Sequence, residues 1–117
     1  MPTNHFIPLA DAVTMTTTYR QQKENVLATA FRGQNILAIC ETFDRAAFDT
    51  VLAQNDCQGL RIYFGMDNSY KVHAIIVGVD SNDADMIPAK SSATDEQIIE
   101  TGARCPSDCP PSSALNS

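Results

Sequence analysis

Four side chains at alternate positions of one stretch carry the clearest chemical potential of this sequence: Arg61 and Tyr63 on a first arm, Lys71 and His73 on a second. An arginine clamps a carboxylate or phosphate through parallel N–H bonds, and a tyrosine donates a hydrogen bond or stacks. A histidine opposite Tyr63 changes charge near neutral pH. With Tyr19 and Arg20 from an upstream helix, they would complete a pocket for a small anion. The competing reading is the solvated face of an antiparallel hairpin, and the alternation favours it. Tyr19 and Arg20 are then one buried ring and one exposed charge.

The cysteines offer a second chemistry. Cys105 and Cys109 are separated by three residues, not by the two of zinc ribbons and thioredoxin-like motifs. A zinc site needs four ligands, and Cys40, Cys57, His5 and His73 show no paired spacing. Buried thiols at Cys40 and Cys57, with a bridge or free thiols in the tail, account for all four; a metal or thiol role for Cys105 and Cys109 is the lesser alternative. Asp80, Asn82, Asp83 and Asp85 resemble the opening of a calcium loop, but Asp85 stands where glycine is required and Ser91 where a bidentate glutamate belongs. A polar turn after a strand explains them better. No nucleophile elbow, phosphate loop, dinucleotide fingerprint or zinc-protease helix is present. Glu41 and Asp44 do not make a paired-carboxylate site, because capping the next helix accounts for Asp44.

Charge narrows the partners. The chain of 117 residues has net charge −6, and residues 80–117 supply most of it through Asp80, Asp83, Asp85, Asp95, Glu96, Glu100 and Asp108 against Lys90 and Arg104. No stripe of lysine and arginine exists to neutralise phosphates, which argues against nucleic acid and anionic membranes. The longest apolar run, Ile36 to Cys40, is far short of a bilayer span. The start MPTNHFIPLAD has no basic segment and sets Asp11 where a signal peptide would be apolar, so a soluble, cytoplasmic protein is expected.

The elements that must hold these residues follow from periodicity. Pro8 suits a helix start and Asp11 its first turn, so helix 1 runs from there towards Lys23 despite the β-branched Thr14, Thr16, Thr17 and Thr18. Val26 to Phe31 reads as a helical piece or a short strand, and Ile36 to Cys40 fits either type. Asp44 caps helix 2, about Arg45 to Gln54, with Phe43 stapled to Phe48. Leu60 to Phe64 and Tyr70 to Val79 form a hairpin around Asp67-Asn68-Ser69. Placing Leu60, Ile62 and Phe64 on one face with Val72, Ala74 and Ile76 requires a loop of three or five residues. Arg61, Tyr63, Lys71, His73 and Ile75 then share the other face. Ile75, Val77 and Val79 leave the late second strand apolar on both sides, so a helix of this chain or a partner must cover it. Two strands are marginal alone, so a third must come from 26–40, from 97–104 or from a second subunit.

Several local patterns occur together: Thr16-x-x-Tyr19-Arg20, Glu41-Thr42-Phe43, Cys57-x-Gly59-x-Arg61-Ile62-Tyr63-x-Gly65, Val77-Gly78-Val79-Asp80 leading to Asn82-Asp83, and the ending with Cys105 and Cys109. From about Thr16 to Cys109 the ensemble resembles a family of small uncharacterised bacterial proteins of the Bacteroidetes type. The resemblance implies a bacterial, single-domain protein. It implies no activity and carries over no catalytic residue.

These observations give an α+β fold, with N-terminal helices packed on a small antiparallel sheet built around a 60–79 hairpin. An acidic irregular C-terminal segment lies over it. Residues 1–104 form the domain, and 105–117 a tail rich in Cys, Pro and Ser, extended or partly disordered. The leading function is a non-catalytic binding or protein-interaction module without cofactor, acting as a homodimer through the apolar end of Tyr70 to Val79 or with an unidentified protein. The alternative is a small-anion binder or enzyme using Arg61, Tyr63 and His73, assisted by Tyr19 and Arg20.

Overall fold

The computed structural model describes residues 4–88 and 97–117. Lys90, Ser91, Asp95 and Glu96, which entered the charge and calcium-loop arguments, lie outside them. The fold is α+β, with helices α1 (Leu9–Gln22) and α2 (Arg45–Leu52) and strands β1 (Cys40–Thr42), β2 (Gly59–Met66), β3 (Val72–Val79), β4 (Asp85–Met86), β5 (Ile98–Ile99) and β6 (Ala103–Cys105). No described helix is long and apolar enough to cross a membrane.

The hairpin β2–β3 is the centre. Leu60 pairs with Gly78, Ile62 with Ile76 and Phe64 with Ala74, so the even-numbered apolar residues share a face as the alternation requires. Residues 67–71 close it as a five-residue loop, and Asp67 organises that loop. Its Oδ1 accepts the N–H groups of Ser69 (2.8 Å) and Lys71 (3.1 Å), while its own N–H donates to the Lys71 carbonyl at 3.0 Å. Tyr70 adopts φ 66°, the left-handed residue that brings the chain back into register. The longer loop shifts one expected neighbour: His73 lies opposite Gly65, and Tyr63 faces Ile75.

The other edge of β3 is closed by several parts of the chain in turn. Val72 N–H donates to the Ile36 carbonyl at 2.8 Å, and Ala74 N–H to the Glu41 carboxylate at 3.0 Å. Ile76 and Val77 pair with β5, and Gly78 and Val79 pair with β4. The third strand therefore comes from the 97–104 candidate, supplemented by the turn after β3. Beside this sheet β1 and β6 form a second, two-stranded pair, with Glu41 opposite Arg104.

The core is small and lies where α2 crosses β3. Val51, Ile76 and Ile99 form its buried cluster, flanked by Phe43, Ala47 and Phe48. Asp44 occupies the N-cap of α2 with extended backbone but makes no side-chain cap bond. The staple does form, with the rings of Phe43 and Phe48 stacked at 6.0 Å between centroids. Helix α2 ends at Leu52, two residues before the expected stop. Helix α1 matches its expected span but has no fully buried residue. Its period of apolar and small residues is diluted by threonines, and it is tied to the rest of the fold by side-chain hydrogen bonds, from the Tyr19 hydroxyl to the Ala38 carbonyl at 2.6 Å and from Arg20 to the C-terminal residues. Residues 29–31 form one 3₁₀ turn, and the apolar run 36–40 is irregular until Cys40 enters β1.

The apolar end of β3 is covered within the chain. Ile76, Val77 and Val79 are each 3% exposed, against α2, β4 and β5. That end was expected to be covered by a helix of this chain or to serve as a homodimer surface; within one chain its Ile76, Val77 and Val79 side chains are already buried.

Val51 is the most enclosed core side chain, at 1% exposure. Val51→Ala removes two buried methyl equivalents and leaves a void, an expected loss of about 2 kcal/mol. The urea midpoint of folded-state fluorescence or circular dichroism measures it, and an unchanged midpoint would show that the α2–β3 crossing is not the core.

Candidate functional site

The face that carries Arg61, Tyr63 and His73 is organised by carboxylates of the same chain. After β3 the backbone turns at Asp80, whose Oδ1 accepts the N–H groups of Asn82 (2.9 Å) and Ala84 (3.0 Å). This is the polar turn expected in place of a calcium loop. It returns Asp85 to a position opposite Val79, on the face of Arg61.

Arg61 is consequently engaged by two carboxylates of the same chain. Its Nη1 donates to Asp85 Oδ1 at 2.7 Å and its Nη2 to Asp83 Oδ1 at 2.6 Å, with a longer contact from Nη1 to the Asp83 carbonyl. The Tyr63 hydroxyl donates to Asp85 Oδ2 in a short hydrogen bond. Together the tyrosine and the arginine hold the Asp85 carboxyl below the ordinary carboxylate range, the Tyr63 hydrogen bond being the larger cause. The same bond raises the Tyr63 phenol above its usual value, because ionisation would set a negative oxygen against Asp85.

His73 belongs to a separate cluster. Its Nε2 meets Asp67 Oδ2 at 2.8 Å, and its Nδ1 lies 3.2 Å from Glu100 Oε1, which places it within ion-pair range but without hydrogen-bond geometry. The histidine contact is the main reason that the Asp67 carboxyl is lowered. His73 thus ties the hairpin loop to the residue after β5. Lys71 lies at the loop end and lines a different recess with Arg104.

Tyr19 and Arg20 do not join these residues. Tyr19 bonds Ala38, while Arg20 donates to the carbonyl oxygens of Leu115 (2.5 Å) and Ser117 (2.7 Å). Burial is the main reason that the Tyr19 phenol is raised, partly offset by nearby Arg104. The six candidate positions therefore divide into an Arg61–Tyr63 latch, a His73 clasp, Lys71 in a recess with Arg104, and two anchors of α1.

Cys105 and Cys109 are joined in a disulfide, so neither offers a thiolate to a metal; Cys40 and Cys57 are free and half-buried. Among the described residues no group of three or more His, Cys, Asp or Glu is arranged to hold a metal ion. Sequence reasoning treated Asp83, Asp85 and Glu100 as solvated surface. Continuing the hairpin's alternation through the turn after β3 would have placed Asp85 on the Arg61 face. Nothing local to Glu100 signalled its approach to His73.

Comparison of the chain with protein-family models, with curated proteins and with solved structures finds no match.

The lowered Asp85 carboxyl makes a pH prediction. A group depressed in the folded state contributes stability above its unfolded value, about 3.9 for aspartate, and loses it as pH falls through the folded value. Wild-type protein should therefore lose stability below about pH 4. Asp85→Asn should be less stable than wild type at pH 7, with the gap closing towards pH 2. Urea midpoints across that range would check this; parallel curves for the two proteins would contradict the latch.

Proposed function

We propose that this chain is a non-catalytic protein-interaction module whose docking element is the outer edge of β2, and that its partner there is a second copy of the chain. The unpaired edge itself carries the reading. In the antiparallel ladder Asp67 N–H bonds Lys71 O, and hydrogen-bonded and non-bonded positions alternate from there. The N–H and C=O groups of Leu60, Ile62, Phe64 and Met66 consequently point away from β3. Among the described residues no strand pairs with that edge.

Proteins protect open edges with charges, proline, bulges or a covering element. Here Phe64 is 80% exposed, Met66 62% and Ile62 55%, and no proline or lysine interrupts them. The single charge of the strand, Arg61, is turned to the opposite face and tied to Asp83 and Asp85.

Self-complementarity favours a second copy. A two-fold axis at Tyr63 pairs all four outward residues: Leu60 meets the partner's Met66, and Ile62 meets the partner's Phe64. On the other face Arg61 stands opposite the partner's Gly65, and Tyr63 opposite the partner's Tyr63. No like charges face each other across the strands, and every apolar side chain gains an apolar neighbour.

The anion-binding alternative is less well supported, because a ligand at Arg61 would have to displace two carboxylates of the same chain. The Cys105–Cys109 bridge bears on location, since such bonds persist in oxidising compartments and weigh against a cytoplasmic setting.

Charge reversal tests both the edge and its register. Leu60→Lys with Met66→Lys sets lysines opposite each other and should weaken the dimer at least about tenfold, roughly 1.4 kcal/mol. Leu60→Lys with Met66→Glu should restore it. Sedimentation equilibrium reads both. A wild-type monomer at every concentration, or two variants that behave alike, would overturn the proposal.

A further inference from the structure

Three of the four cysteines meet where β1 pairs with β6. Cys40 stands directly opposite Cys105, and the Ile39 N–H donates to the Cys105 carbonyl at 2.8 Å, which fastens the two segments there. Cys105 is bridged to Cys109, whereas Cys40 keeps its thiol. Residues directly opposite in an antiparallel pair have Cα atoms roughly 4.5–5.5 Å apart, inside the range of about 4.4–6.8 Å that a disulfide spans. A free thiol therefore stands within bridging range of a disulfide to which it does not belong.

Burial decides which sulfur is attacked. Cys105 is 4% exposed, while Cys109 is an exposed residue of the tail. Attack at Cys105 expels the Cys109 thiolate at the surface. Attack at Cys109 would leave the Cys105 thiolate in a buried site, where a charge is disfavoured. Cys40 also borders a cavity of about 470 Å³ beside Glu41, between residues 37–43 and the even-numbered face of β2 and β3. Its side chain consequently has room to change rotamer without displacing packed neighbours.

We infer that Cys40, Cys105 and Cys109 form an intramolecular thiol–disulfide exchange site, in which the bridge passes from Cys105–Cys109 to Cys40–Cys105. Cys40 first gives its proton to water. Its thiolate then bonds to Cys105 Sγ as the Cys105–Cys109 bond breaks; the electron pair leaves on the Cys109 sulfur, which takes up a proton. The three cysteines hold one bridge and one thiol before and after, so no oxidant or reductant is consumed. The exchange staples β1 to β6, opens the ring of residues 105–109 and presents Cys109 as an accessible thiol. None of the three lies on β2, so the site does not rest on the self-association reading.

Cys57 supplies the internal control, since its thiol donates to the Gly59 carbonyl at 3.4 Å, at the start of β2 in the other sheet. Unreduced protein is alkylated with N-ethylmaleimide at about pH 8 and digested with trypsin, which places Cys40 in peptide 33–45, Cys57 in 46–61, and Cys105 with Cys109 in 105–117. With dilute reagent, at least about a tenth of the chains should carry the label on Cys109 with 33–45 joined to 105–117; concentrated reagent should shift the label to Cys40, captured before it exchanges. Cys40→Ser should abolish the joined peptide. Cys109→Ser, oxidised with glutathione disulfide, should join 33–45 to 105–117 at least about tenfold more than 46–61 to 105–117. Absence of the joined peptide from wild type at every reagent concentration would overturn the inference. So would joining of 46–61 to a similar extent, or a joined share that rises with protein concentration, which marks exchange between chains.

Discussion

The fold depends on the unequal treatment of the two edges of β3. One edge is given to β2 along its whole length; the other is shared among the Ile36 carbonyl, the Glu41 carboxylate, β5 and β4. Backbone donors in a buried strand must all find acceptors, so this single strand recruits segments from far apart in the chain. The core forms where α2 then closes over Ile76 and Ile99. What remains is the outer edge of β2, with its row of donors, acceptors and exposed apolar side chains.

The same geometry explains why the chemically suggestive side chains are occupied. The turn after β3 must come back to supply β4, and in doing so it delivers Asp83 and Asp85 to Arg61 and Tyr63. β5 must reach Ile76 and Val77, and the residue after it, Glu100, arrives at His73. Charges that looked like a ligand-binding face act as latches between segments that share few apolar contacts. With a core of this size, such exposed pairs set register more than they add stability.

Much of the hairpin was legible in the sequence because alternation is a strong local constraint. It gave the shared face of Leu60, Ile62 and Phe64, the loop parity and the need for a third strand. Helix starts were legible from Pro8, and from Phe43 with Phe48, for equally local reasons. Less legible were contacts set by the path of the chain. The five-residue loop, one of two lengths with the right parity, moved His73 from Tyr63 to Gly65. The covering of Val77 and Val79 came from short strands of two residues, too brief to leave a periodic signal. The cavity beside Glu41 depends on residues 37–43 crossing the hairpin face, which neither composition nor spacing encodes.

The central claim is that the β2 edge is open in one copy and closed by another. Amide hydrogen exchange resolved by residue, at low and at high protein concentration, tests it most directly. Leu60, Ile62, Phe64 and Met66 should exchange rapidly in dilute protein and become protected as concentration rises, while Arg61 and Tyr63, bonded to β3, should be protected throughout. Equal protection of all six amides in dilute protein would show that the edge is already covered. Rapid exchange of the four outward amides at every concentration would show that no second copy pairs there.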